Sequence, residues 1–283
     1  MSHPLDPLTP EEISAAVAAV RDRLTDAARF STVTLDEPPK GTTIERRARL
    51  VIVPGPEASV IEATVAIGTG EVVSWEVVDG VRPALGFEES FNAIVALHEH
   101  EGFRQAMDAR GITDLDKVQI DPWPTGSFGI GIEEGRRIVR CIFFYRDEPN
   151  DNGYARPIEG LLATVDMARG EVLELVDHGA VPMPEERGSY YPEDNGPLRT
   201  DLRPLEIVQP DGVSFIVDGN LVTWQRWSMR VSMDPLEGLV LHAVGYDDGG
   251  RTRPIVHRAS ITEMVVPYGD PGPVHGWKNA FDA

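Results

Sequence analysis

The chain has 283 residues, 41% hydrophobic and 25% charged, a balance that suits folded domains and argues against disorder. Its 46 acidic side chains against 26 basic ones would repel phosphate backbones, so a nucleic-acid partner is not expected. No run approaches about 18 consecutive apolar residues, so no membrane-spanning helix is expected. The length suggests two domains and part of another. The start, from Met1 to Pro7, lacks a basic segment followed by an apolar core, so no secretory leader is expected. The single cysteine, Cys141, can form no intrachain disulfide and reads as a buried, inert thiol. A cytoplasmic location is the expectation.

The first element opens at Thr9-Pro10-Glu11-Glu12, a capping box with proline at the first helical position. Ile13, Val17, Val20 and Leu24 follow at helical spacing and predict a helix over 10–29. After the break at Pro38-Pro39-Lys40-Gly41, strands are expected near 45–53, 59–67 and 71–78. A second unit begins near Gly86. Phe91, Ile94, Val95 and His98 share a helical face, and Phe103 and Met107 continue the pattern to Gly111. Strands are expected near 117–121, 136–146, 160–168 and 171–177.

Ala63-Thr64-Val65 with Gly70-Glu71-Val72 reappears one hundred residues later as Ala163-Thr164-Val165 with Gly170-Glu171-Val172. The pattern predicts a duplicated α+β domain, a helix packed on an antiparallel sheet. Residues 179–204, with five prolines, read as an exposed connector. Short strands near 214–217, 221–224, 227–232 and 238–244, punctuated by turns, predict a β-sandwich or barrel over 205–283. The closing strands are not visible, so sheet edges and apolar faces are expected to lie open. The expected organisation is 1–85 and 86–178 as small α+β domains, 179–204 as connector, and 205–283 as the incomplete start of a sandwich.

Few residues announce chemistry by themselves. His98-Glu99-His100 is the only close histidine pair, and i, i+2 positions on a helix point apart, so a solvated helix end is preferred over a metal site. Glycines 126, 129 and 131 lack the ending of a phosphate loop, and a loop or bulged hairpin is preferred. Neither Ser214 nor Ser260 stands in a nucleophile elbow.

The final stretch is different. The block from Arg251 to Pro271, which ends on Val265-Val266-Pro267-Tyr268-Gly269-Asp270-Pro271, closely resembles a signature of the copper amine oxidases. Upstream, Glu237-Gly238-Leu239-Val240-Leu241-His242 resembles a strand of the same family. Downstream, Trp277-Lys278-Asn279-Ala280-Phe281-Asp282 is similar to the segment that carries the family's catalytic aspartate. His3-Pro4-Leu5-Asp6-Pro7-Leu8 resembles the entry to its first small domain, and the family has two such domains before its large sandwich.

The resemblance implies oxidative deamination of a primary amine by dioxygen to an aldehyde, ammonia and hydrogen peroxide. It also implies copper, a trihydroxyphenylalanine quinone and a homodimer in the full-length enzyme. Asp282 matches the proton-abstracting base, a carboxylate that burial would tune towards neutrality. Tyr268 matches the tyrosine that hydrogen-bonds a quinone oxygen; read without the family it is a half-buried strand-end aromatic. Ala280 stands where many relatives place a gating tyrosine, which implies a wider channel. Trp123 resembles a channel-wall aromatic, and a packed core tryptophan is an equal reading. The quinone-precursor motif Asn-Tyr-Asp/Glu-Tyr does not occur in the sequence, and the family's copper histidines are expected beyond Asp282. The chain alone is therefore expected to be inactive. The rival expectation is a non-catalytic interaction or scaffold module derived from an amine oxidase.

Overall fold

The computed structural model describes residues 3–42, 45–55, 59–81, 83–124, 131–261 and 266–278. In chain order it runs α1 (Pro10–Arg21), β1 (Arg29–Asp36), β2 (Arg47–Val53), β3 (Ser59–Ala66), β4 (Val72–Asp79), α2 (Phe87–Glu99) and α3 (Glu101–Asp108). Then follow β5 (Val118–Pro124), β6 (Ile138–Tyr145), β7 (Leu161–Asp166) and β8 (Glu171–Asp177). The last strands are β9 (Phe215–Asp218), β10 (Leu221–Trp224), β11 (Trp227–Asp234), β12 (Gly238–Asp247) and β13 (Thr252–Ser260). The chain is mostly β, in three antiparallel sheets ordered β1-β2-β3-β4, β5-β6-β7-β8 and β13-β12-β11-β10-β9.

Two compact units result. One holds Met1–Gly55, Ser59–Pro83 and Glu206–Met264; the other holds Pro56–Ala58, Ala84–Leu205 and Val265–Ala283. In the first, the Thr9 hydroxyl accepts from the Glu12 N–H and the Glu12 carboxylate accepts from the Thr9 N–H, the reciprocal cap that starts α1. Ala16 and Val20 are buried against Leu50, Ile52, Ile61 and Val65. The helix ends at Asp22, short of the expected 29, because residues 29–36 are drawn into β1, a strand absent from the sequence reading. Leu24 still packs on the core from a turn. Arg46 stitches the N-terminal segment down: it donates to the carbonyls of His3, Asp6 and Pro7 and forks onto Glu12 at 2.8 and 2.9 Å.

In the second unit, Leu97, Phe103 and Met107 pack over Val139, Phe143, Leu161 and Val165. The Phe103 and Phe143 rings lie 5.0 Å apart. Cys141 is fully buried there, and burial pushes its thiol well above the ordinary range, as an inert core cysteine requires. The expected face of α2 is corrected. Phe91 and Val95 are exposed while Ala93 and Leu97 are buried and Ile94 packs beside them, and the small Ala93 lets the helix sit close on the sheet.

The repeated sequence makes the same hairpin twice. The β3–β4 and β7–β8 ladders slip register at matching places, Thr64/Val65 and Thr164/Val165. Gly70 and Gly170 close the turns at φ +72° and +62°, donating to the carbonyls of Ala66 and Asp166, both at 2.8 Å. Residues 179–204 contain a single 3-10 turn, Pro192–Asp194. In the five-stranded sheet, Ile216, Val217, Met233, Leu239 and Ile255 remain exposed.

Candidate functional site

The described part of the signature region, 266–278, has no helix or strand and is closed by its own hydrogen bonds. The Tyr268 N–H donates to the Lys278 carbonyl at 3.3 Å, and Gly276 donates to the Gly272 carbonyl at 2.8 Å. The Trp277 indole N–H donates to the Val274 carbonyl at 2.5 Å, and Val274 is buried. This segment meets the sheet at Trp123. The Trp123 and Trp277 rings stand edge to face with centroids 6.3 Å apart. The Lys278 ammonium lies 4.5 Å from the Trp123 ring centre, and the Arg140 guanidinium lies 5.6 Å from that of Trp277.

Sheet geometry explains why these groups meet. Trp123 on β5 and Arg140 on β6 are register partners. Arg140 is held from behind by Glu133, whose carboxylate accepts at 3.1 Å and is almost wholly buried. A buried carboxylate needs such a partner. Tyr268 is 40% exposed.

The structure thus brings Trp123 and the Tyr268 backbone to one cluster. Ala280 and Asp282 lie outside the described residues, as do glycines 126 and 129. Trp277, Lys278, Arg140 and Glu133 are additions to the residues named from sequence. Trp277 and Lys278 lie in the downstream segment that resembles the one carrying the family's catalytic aspartate, whereas nothing in the spacing of Glu133 and Arg140 marks them as a pair.

The His98/His100 pair does not converge. Its expected setting, a solvated helix end, is corrected to a half-buried junction between α2 and α3. The His100 Nδ1 accepts from the Phe103 N–H at 3.2 Å and caps α3, while His98 Nε2 is buried without a hydrogen-bond partner among the described residues. No group of three or more His, Cys, Asp or Glu side chains suited to a metal gathers among the described residues. The described residues therefore do not fit a copper centre.

A second polar cluster lies in the first unit. His242 on β12 is buried; its Nε2 is 2.9 Å from the Ser232 hydroxyl, and its Nδ1 is 3.8 Å from Glu37. Arg258 on β13 donates to both Glu37 oxygens at 2.9 and 3.0 Å and to Glu237 at 2.6 Å. The Ser260 hydroxyl also donates to Glu237, which gives that serine a structural role. Burial lowers the His242 pKa against the pull of Glu37, and the Arg258 hydrogen bond lowers that of Glu237. A cavity of about 130 Å³ adjoins, walled in part by Leu5, Leu8, Val33, Leu35 and Val240. The Glu-Gly-Leu-Val-Leu-His strand thus supplies both Glu237 and His242 to a lock joining β12 and β13 to the segment after β1.

Comparison with known proteins agrees with this layout. The family model described as copper amine oxidase, N3 domain, matches residues 89–193, and that described as copper amine oxidase, enzyme domain, matches residues 216–283. The primary amine oxidase of Arthrobacter sp. (strain P1) is 43% identical over 291 residues, covering 100% of this chain and 45% of its own length. The histamine oxidase of Arthrobacter globiformis is 41% identical, over 99% of this chain and 43% of its own. The crystal structure of a copper-containing benzylamine oxidase from Hansenula polymorpha superposes with a TM-score of 0.83 at 23% identity. That match covers 99% of this chain and 48% of the other, and at this identity it speaks for the fold. The chain spans somewhat under half the length of these relatives. It belongs to the copper amine oxidase family and corresponds to the N-terminal part of its members.

Proposed function

We propose that this chain is the N-terminal portion of a copper- and quinone-dependent primary-amine oxidase, which converts a primary amine and dioxygen to an aldehyde, ammonia and hydrogen peroxide. The observation that carries the reading is the meeting of Trp123, Trp277 and the Tyr268 segment in one cluster, immediately before the position matched to the catalytic base. In this reading Trp123 and Trp277 wall the amine's path, and the Tyr268 phenol donates a hydrogen bond to an oxygen that gathers charge. Asp282 takes the proton from the carbon beside the amine nitrogen. Ala280 leaves the path without a gating ring. Copper and the quinone supply the redox chemistry when present, and their ligands and precursor tyrosine belong to the part of the family sequence beyond this chain.

The same proposal takes 1–85 and 86–178 as two copies of one small domain. The matched hairpins with their matched register slips support it. Residues 179–204 are then the connector and 205–283 the first strands of the catalytic sandwich. It also takes the complete enzyme as a homodimer in the cytoplasm, the latter resting on the single buried cysteine and acidic composition.

The test is to express the complete reading frame containing this chain with copper and to measure peroxide release from methylamine, histamine and benzylamine. Asp282→Asn should lower turnover by about 10² or more, the usual scale for a general base. Absence of peroxide from every primary amine tried, or full activity in the Asn variant, would overturn the reading.

A further inference from the structure

The cavity beside His242 takes no part in the proposed oxidation, yet it has the make-up of a binding site. Leu8, Ile13, Val33, Leu35 and Val240 give it apolar walls, and Ser232, His242 and Glu37 stand together on the same lining. Glu37 is 28% exposed, so the polar part of the cavity is open to solvent. His242 is only 2% exposed, and its Nδ1 makes no hydrogen bond among the described residues, because Glu37 at 3.8 Å is beyond bonding distance. With a carboxylate on that side the ring keeps its proton on Nδ1, so Nε2 accepts from the Ser232 hydroxyl at 2.9 Å. The Ser232 oxygen and the Glu37 carboxylate are then left as acceptors. The charge leans the same way. One guanidinium, that of Arg258, serves both Glu37 and Glu237, and burial holds His242 neutral, so one negative charge has no cation of its own. Asp234, also on the lining, already accepts from the backbone N–H groups of Leu236 and Glu237.

We propose that this cavity binds a short primary alkylammonium, with the tail among Leu8, Val33 and Val240 and the ammonium donating to Glu37 and Ser232. A site that offers acceptors and a spare negative charge takes a cation that carries N–H donors. A quaternary ammonium has the charge without the donors, and an alcohol has a donor without the charge. Size sets the tail. A cavity of about 150 Å³ takes a benzene, so about 130 Å³ holds about five or six non-hydrogen atoms, enough for four carbons and a nitrogen. A bound ligand would join the N-terminal segment and β1 to β11 and β12, and so stabilise the first unit in proportion to its occupancy. None of this requires amine oxidation.

The test is a calorimetric titration of the chain 1–283 with n-butylammonium chloride at constant ionic strength. Saturable binding at one site per chain is expected, with a dissociation constant in the millimolar range usual for so small a ligand. n-Butanol and butyltrimethylammonium should each bind about tenfold more weakly or not at all. Glu37→Gln should weaken butylammonium binding about tenfold, and Val33→Phe, which fills the apolar end, should abolish it. Nuclear Overhauser contacts from the ligand methyl to the methyls of Leu8 and Val240 should locate it in the cavity. No saturable binding up to about 50 mM, well past the millimolar range, would overturn the inference. So would butanol or butyltrimethylammonium binding as tightly as butylammonium, or an affinity unchanged by Glu37→Gln or Val33→Phe. If Glu37→Gln does not fold, the ligand series and Val33→Phe decide the matter.

Discussion

Replacing Arg258 by methionine keeps most of the aliphatic stem and removes the guanidinium that joins Glu37 to Glu237. Two carboxylates lose their charge-assisted hydrogen bonding: Glu37, both of whose oxygens share one guanidinium N–H at 2.9 and 3.0 Å, and Glu237, at 2.6 Å. The three side chains are between 24% and 30% exposed, so solvent screens them partly and the low end of the range, about 1.5 kcal/mol for each bond, applies. The expected loss is about 3 kcal/mol. With a urea m-value of about 1–3 kcal/mol/M, the midpoint of the first unit should fall by at least about 1 M. Trp224 and Trp227 lie in the same sheet as Arg258 and report that transition by fluorescence. A double-mutant cycle with Glu37→Gln isolates the Glu37 share, expected at about 1.5 kcal/mol of coupling. A midpoint within 0.2 M of wild type (about 0.5 kcal/mol at such an m-value), or no coupling in the cycle, would refute the view that this clamp holds the segment after β1 to the sheet.

The acid limb of stability should carry two separable components. His242 has a folded pKa below its ordinary 6.5, so the unfolded chain takes the proton first. Its contribution is complete above the unfolded value, shrinks as pH falls below it, and levels off under the folded value. His242→Gln should flatten that window, and an unchanged slope between pH 7 and 5 in urea midpoints would count against it. Glu237, also lowered, contributes above its ordinary 4.5 and loses that contribution as pH falls through the folded pKa; Arg258→Met should flatten this lower window. The paired turns give a further prediction. A methyl at Gly70 or Gly170 meets nothing within 4 Å, so Gly→Ala at each should cost only the left-handed backbone penalty, about 1–2 kcal/mol. Clearly unequal costs in thermal unfolding would show that the two hairpins are not the same device.

What was legible in the sequence was local. The cap at Thr9 needs only residues within one turn of it, and it stands as read. Helical spacing through Leu24 reported burial rather than helix, since Leu24 reaches the core from a turn. The strand β1 was hidden by its own bulge: pairing shifts between Phe30 and Thr32, which breaks the alternation a strand is recognised by. Size misled on α2, where the large Phe91 and Val95 face outward and the small Ala93 allows close approach. β13 lacked a strand signal because most of it is exposed, so no apolar–polar alternation marks it, and Pro254 stands within it opposite Gly245. The site residues were found through a resemblance, not through physics, because Trp123 and Tyr268 lie far apart in sequence and only the fold joins them.

The division of labour at the cluster follows from what each piece can hold. A β-sheet fixes side chains well, so Trp123 and Arg140 sit on paired strands with Glu133 buried behind. The segment 266–278 cannot rely on a ladder. It spends its backbone donors internally, from Tyr268 to Lys278 and from Gly276 to Gly272, and fastens itself to the sheet through Trp277. Such a loop can change its exposed residues without unmaking the fold beneath. At Lys278 the backbone carbonyl is committed to holding Tyr268, while the half-buried side chain lies over the Trp123 ring. Structure therefore constrains the backbone at this position through one hydrogen bond and places the side chain over a ring held by the sheet.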